Sequence, residues 1–305
     1  MAGAADSTRR LALRLGLPAL LGARAFAAGA VANARAAGAA VDDAAAALAA
    51  IERRHGGRLG FYALDTATGR TLARRADERY LMCSTLKGLL AAQVLARVDA
   101  GRERLDRLVR FTRADLLFTS PVTAATLARG ASALTVGALL DACLVHSDNT
   151  AAVLLMRASG GPAALTAYLR GLGDAVTRSD RYEPASNRAS GALDTTSPRA
   201  VATTLGRLLL GDALSAASRE RLEAGMRACL PGLQRLRAAL PAGWLAADRP
   251  GTSVEAETND VAILRPPGRA PLLVAAYYEA PRLGTDLREA VLREAGAVCV
   301  GWAGA

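Results

Sequence analysis

Apolar and polar positions alternate from Arg58 to Leu64 in the manner of a β-strand. The turn-forming run Asp65-Thr66-Ala67-Thr68-Gly69 follows, and Arg70 to Arg74 can return antiparallel, which makes a hairpin. Strands are expected again at Trp244 to Asp248, Asn259 to Leu264 and Pro271 to Tyr278, the last two joined by Arg265-Pro266-Pro267-Gly268-Arg269. Between these ends apolar residues recur with helical spacing over 84–99, 135–144, 149–158, 162–171, 198–210 and 215–228, and a final helix is expected over Thr285 to Val298. The one low-complexity stretch, Ala36 to Ala50, leads into a first helix. Strands at both chain ends around a helical middle predict an α+β fold of three layers, α/β/α. Its antiparallel sheet would hold about five strands drawn from both ends, with an inserted all-helical lobe. The expected lobes are 35–77 plus 232–305 and 78–231 of one catalytic domain, with a cleft between them.

The opening residues change the picture of location. Arg9-Arg10, an Ala/Leu-rich stretch and Ala32-Asn33-Ala34 have the form of a signal peptide over residues 1–34, of the twin-arginine kind, removed on export to the periplasm or medium. No later segment is apolar for long enough to span a bilayer, so no membrane association is expected after cleavage. The chain has 305 residues and a formal charge of +10, and four arginines against one aspartate lie in that leader, so the remainder stays basic. The arginines are scattered and only 4% of residues are aromatic, which argues against nucleic acid as a partner. Four cysteines, Cys83, Cys143, Cys229 and Cys299, permit three pairings, and nothing in their spacing chooses one. With His55 and His146 as the only histidines, a zinc site and a Ser-His-Asp triad both lack ligands or base, so no metal is expected.

Of 38 basic side chains a single one is lysine, Lys87, three residues after Ser84. A guanidinium keeps its proton, whereas a buried ammonium can shift far enough to exchange one, and positions i and i+3 are neighbours on a helix. Ser147-Asp148-Asn149 can cap a helix. It can equally supply a proton-relaying hydroxyl and an amide that holds both a lysine and a substrate carbonyl. A third stretch, Arg178 to Asn187, contains Glu183-Pro184-Ala185-Ser186-Asn187 and is followed by Asp194-Thr195-Thr196-Ser197-Pro198.

Together these stretches resemble the class A serine β-lactamases, in which Ser-x-x-Lys, Ser-Asp-Asn and Lys-Thr-Gly line one site. The family's Glu-Pro-x-x-Asn lies in an omega-shaped loop flooring that site. The resemblance runs from about Ala40 to the C-terminus and includes Leu240-Pro241-Ala242-Gly243-Trp244 and Asn259-Asp260-Val261-Ala262, with motif order and spacing in agreement. It implies hydrolysis of a small-molecule β-lactam by a monomer without cofactor. Ser84 would attack the carbonyl, and either Lys87 or a Glu183-bound water would take its proton. Ser147 would protonate the ring nitrogen, while Glu183 and Asn187 would hold the deacylating water. Asn149, Arg249, Gly251 and Thr252 would contact substrate, and the N–H groups of Ser84 and Thr252 would form the oxyanion hole. Arg181 and Asp194 would pair across the loop's neck.

The family's Lys-Thr-Gly stands here as Arg249-Pro250-Gly251. Arg249 keeps the fixed positive charge. Pro250 removes a hydroxyl that family members use for the substrate carboxylate, but residues 250 and 252 direct their N–H groups to the same side. On an edge strand, therefore, no ladder bond need be lost. Thr252 and Ser253 hydroxyls are expected to substitute in part, and Arg235 is either the extra arginine some relatives use for that carboxylate or an ordinary surface charge. Cys83 matches a position that some relatives bridge to a cysteine after the Lys-Thr-Gly strand; serine stands there, so a buried thiol is expected. Two other readings share Ser84, Lys87 and Ser147: a penicillin-binding D-Ala-D-Ala peptidase, and a β-lactam-binding domain whose turnover Pro250 impairs.

Overall fold

The computed structural model describes Gly38 and residues 41–304, so the expected export segment, 1–34, lies outside the described residues. Five strands form one antiparallel sheet: β1 (Arg58–Asp65), β2 (Thr71–Arg74), β7 (Leu245–Thr252), β8 (Glu257–Arg265) and β9 (Leu272–Glu279), in the order β2-β1-β9-β8-β7. Two short pairs stand apart from it, β3 (Tyr80–Leu81) with β6 (Thr195–Thr196), and β4 (Leu108–Arg110) with β5 (Ala133–Thr135). The central β9, Leu-Leu-Val-Ala-Ala-Tyr-Tyr-Glu, is apolar on both faces because both faces are covered.

Side-chain alternation divides the core accordingly. Phe61, Val274, Ala276 and Tyr278 face helix α1 (41–55) and helix α9 (Thr285–Gly304), whose Leu48, Ile51, Val291, Leu292 and Trp302 meet them. Ile263, Leu273, Ala275 and Tyr277 face the other way, toward α7 (Pro198–Leu209) and its Val201, Leu205 and Leu208. That is the three-layer arrangement the pattern predicted. On this second side α2 (Leu86–Asp99) is buried without a break from Leu86 to Leu95, as a helix apolar all round must be. It is sheathed by α4 (Val136–Val145), α5 (Asn149–Ala158), α6 (Gly161–Gly171) and α8 (Ala216–Arg227). Among the described residues no helix is long and apolar enough to cross a membrane.

Three departures from expectation have local causes. Helix α2 starts at Leu86 rather than 84, because Cys83 takes a left-handed φ of 49° and Cys83–Thr85 form a single 3-10 turn. Strand β7 continues through Pro250 to Thr252, which an edge strand permits. An additional helix, α3 (Pro121–Ala128), is too short to show an apolar period; Pro121 starts it and the Asp148 carboxylate binds its first N–H groups.

Candidate active site

The chain enters the site through β3. Its pairing with β6 brings Met82 N within 3.0 Å of Asp194 O, while Asn259 Nδ2 donates to Leu81 O at 2.9 Å. Thr85 Oγ1 closes the turn onto Met82 O at 2.7 Å and meets the Tyr277 hydroxyl at 2.9 Å. Left-handed backbone at Cys83 costs about 1–3 kcal/mol, and these contacts offset it. The turn presents Ser84, partly exposed, in a cleft of about 310 Å3 that Phe118, Asn149, Pro250 and Thr252 also line.

Lys87, 2% exposed, is the second residue of α2. Its ammonium donates to Ser147 O at 2.6 Å, Ser147 Oγ at 3.0 Å and Asn149 Oδ1 at 2.5 Å, which uses all three protons. The expected pairing with Ser84 is therefore redirected: among the described residues the amine binds the Ser-Asp-Asn turn, and no hydrogen bond joins it to the Ser84 hydroxyl. Burial, and next the positive charge of Arg249, lower the amine's pKa from 10.5 to about 8. Ser147 takes a left-handed φ of 58°, held there by Asp148, which caps α5 through Ala151 N at 2.8 Å and anchors α3. The motif caps a helix and also meets the amine: Asp148 caps α5 while its two neighbours bind Lys87.

Arg249, 1% exposed, completes the cationic centre. It donates to Ser84 O (3.1 Å), Leu144 O (3.1 Å), Cys229 Sγ (3.0 Å) and Ser147 Oγ. Ser147 Oγ thus accepts from two cations, which leaves its own proton free to be donated.

The third stretch closes the floor. Asp194 accepts Arg181 Nε at 2.6 Å and the N–H groups of Asp180 and Arg181, so the two ends of the loop are tied together. Arg178 pairs with Asp180 at 2.6 Å. With both arginines engaged, Glu183 turns inward instead of pairing at the surface. It lines a small cavity of about 10 Å3 with Lys87, Cys83 and Ser186, the size one water needs. Glu183 Oε2 and Asn187 Oδ1 are both buried without a protein partner, while Asn187 Nδ2 donates to Thr252 O at 3.3 Å. Burial raises the Glu183 pKa, the positive Lys87 opposing it.

On the opposite wall, Ser253 N donates to Glu257 O at 3.0 Å. Counting back by twos, Gly251 and Arg249 direct their N–H groups to β8, and positions 250 and 252 face the open edge. Pro250 therefore breaks no ladder bond. Gly251 lies against the turn that carries Ser84: a Cβ there would be 2.8 Å from Met82 O and 3.0 Å from Ser84 N. Arg235 is buried rather than a surface charge, donating to Gly251 O (2.9 Å), Asn259 O (2.8 Å), Thr252 Oγ1 (2.5 Å) and Glu289 (3.0 Å). Ser253 cannot substitute for the missing hydroxyl, since its Oγ binds Glu257 and accepts three loop N–H groups. All four cysteines are buried free thiols. Phe118, Val254 and Thr285 also line the cleft; they sit in loops or at a helix end, where no periodicity marks them.

Comparison with known proteins places this geometry among others. Residues 43–303 match the model of the β-lactamase enzyme family. A β-lactamase of Streptomyces fradiae is 45% identical over 276 residues, covering 89% of each chain. The carbapenem-hydrolyzing β-lactamase KPC of Klebsiella oxytoca is 42% identical over 250 residues, 81% of this chain and 84% of that one. A β-lactamase from Burkholderia vietnamiensis superposes with a TM-score of 0.84 at 69% identity, over 86% of this chain and 96% of its own. An ancestral class A β-lactamase reaches 0.81 at 52% identity, over 84% and 98%.

Proposed function

This chain belongs to the class A β-lactamase family, and from that premise we propose that it hydrolyses the β-lactam amide through an acyl-enzyme on Ser84. The hydroxyl oxygen attacks the carbonyl carbon while its proton passes to the buried basic cluster, either to Lys87 in its neutral amine form or through a water to the Glu183 carboxylate. Negative charge on the carbonyl oxygen is met by the N–H groups of Ser84 and Thr252, each donor worth about 10²–10³ in rate. The C–N bond breaks as Ser147, its oxygen held by Lys87 and Arg249, gives its proton to the ring nitrogen and regains one from the cluster that took the Ser84 proton, by way of Lys87. A water over the acyl carbon then loses a proton to Glu183 and attacks, and the oxygen of Ser84 leaves with the proton that Glu183 returns, which restores the enzyme.

The observation that carries this reading is the inward, partnerless oxygen of Glu183 in a water-sized cavity beside Lys87. A peptidase that stalls as an acyl adduct has no use for such a base. Incubation with a chromogenic β-lactam separates the readings: continuous turnover supports hydrolysis, a single stoichiometric burst supports the peptidase, and no reaction supports a binding domain. Glu183→Gln should retain acylation and slow deacylation about 10²- to 10⁴-fold, leaving a Ser84 adduct visible by mass spectrometry. Unimpaired turnover would reject the role. The same reading makes residues 1–34 a leader removed on export and the mature protein a monomer; N-terminal sequencing and light scattering of protein from the culture or periplasm test both.

A further inference from the structure

Pro250 leaves the substrate's carboxylate without one expected donor, and Ser253 is spoken for. Besides Thr119, whose carbonyl is tied to Asn149 N, two other threonines line the cleft, Thr252 and Thr285. Each is backed by a buried arginine. Arg235 donates to Thr252 Oγ1 at 2.5 Å, and Arg288 donates to Thr285 Oγ1 at 3.1 Å. A hydroxyl whose oxygen already accepts from a guanidinium presents its own proton outward as a polarised donor. Arg288 is 3% exposed and its Nε is buried without a partner; burial lowers its pKa, the negative charge of Glu257 opposing it. Thr285 begins α9, a helix of 20 residues, and its end adds positive potential at the same point.

We propose that Thr285, backed by Arg288, is a specificity-determining donor that joins Thr252 and Arg235 in binding the carboxylate of the substrate, in place of the hydroxyl that Pro250 lacks. The inference rests on the β-lactam reading above. Thr285 is exposed and hydrogen-bonds none of the groups around Lys87, so it acts on recognition rather than on the chemical step. Glu289 pairs with Arg235, Glu257 is hydrogen-bonded to Ser253, and Asp286, the acid in the first turn of α9, is exposed to solvent.

Equilibrium binding tests this without turnover. In a Ser84→Ala background, calorimetry with benzylpenicillin and with its uncharged methyl ester is compared for Thr285, Thr285→Ala and Thr285→Ser. The expected result is a weakening of about tenfold or more for the acid in Thr285→Ala, no change for the ester, and recovery in Thr285→Ser. Equal shifts for acid and ester, no shift for either, or no binding of the acid at all would overturn the proposal. Failure of the hydrolase reading is seen separately, as the absence of a Ser84 adduct in protein that retains Ser84.

Discussion

Replacing Gly251 by alanine perturbs the contact between the edge strand and the nucleophile turn with a single methyl group. The added carbon would stand 2.8 Å from Met82 O, 3.0 Å from Cys83 Cβ and 3.0 Å from Ser84 N, where ordinary contacts begin at 3.4 Å. Two of the three atoms are backbone, so no side chain can swing aside, and about half an ångström must come from moving β7 or the turn. The turn is held by Met82 N to Asp194 O and by Asn259 to Leu81 O, whereas β7 is an edge strand, so the strand moves. That motion draws Thr252 N away from the carbonyl oxygen it is proposed to stabilise, at a cost of about ten- to a hundredfold in rate. Overpacking should also remove about 1–3 kcal/mol of stability. Steady-state hydrolysis of a chromogenic β-lactam gives kcat, and thermal unfolding gives Tm. A variant with parental kcat, whatever its Tm, refutes the claim that this strand sets the oxyanion geometry.

Deacylation needs Glu183 ionised, and burial raises its pKa, so kcat should fall as pH drops through a midpoint above the ordinary 4.5. A pH–rate profile with its acid limb at or below 4.5 would contradict that assignment. Lys87 titrates near 8, so a neutral-amine base predicts kcat/KM rising toward that pH, and a required ammonium predicts the opposite slope. Pro250→Thr restores a hydroxyl at the cleft and should strengthen carboxylate recognition by about 1–3 kcal/mol without lowering Tm, because position 250 owes no bond to β8. An unchanged rate profile across a substrate panel would show that Pro250 leaves recognition alone.

Much of this architecture is legible in the chain. The fully apolar β9, the helices of the middle segment and the turn at Gly69 follow from period and turn chemistry, because each is a local property. Helix α5 falls at the expected residues since Asp148 is a strong cap. What sequence cannot carry is direction at a distance. Lys87 is one turn from Ser84, yet its amine answers to acceptors sixty residues on, supplied by a left-handed turn at Ser147. Arg235 is buried only because a strand and α9 fold over it, and Ser253 is consumed by the four-residue loop it begins. Thr285 belongs to the cleft through tertiary placement alone. These are facts of assembly, invisible to period or propensity.

The tie between Asp194 and Met82 makes the two halves of the proposed chemistry share one foundation: the strand pair that seats Ser84 also anchors the segment carrying Glu183. Between those anchors the run from Arg188 to Ala192 is exposed and carries neither duty. Side-chain exchanges there touch neither anchor, so this stretch can vary in sequence while Ser84 and Glu183 keep their relative register.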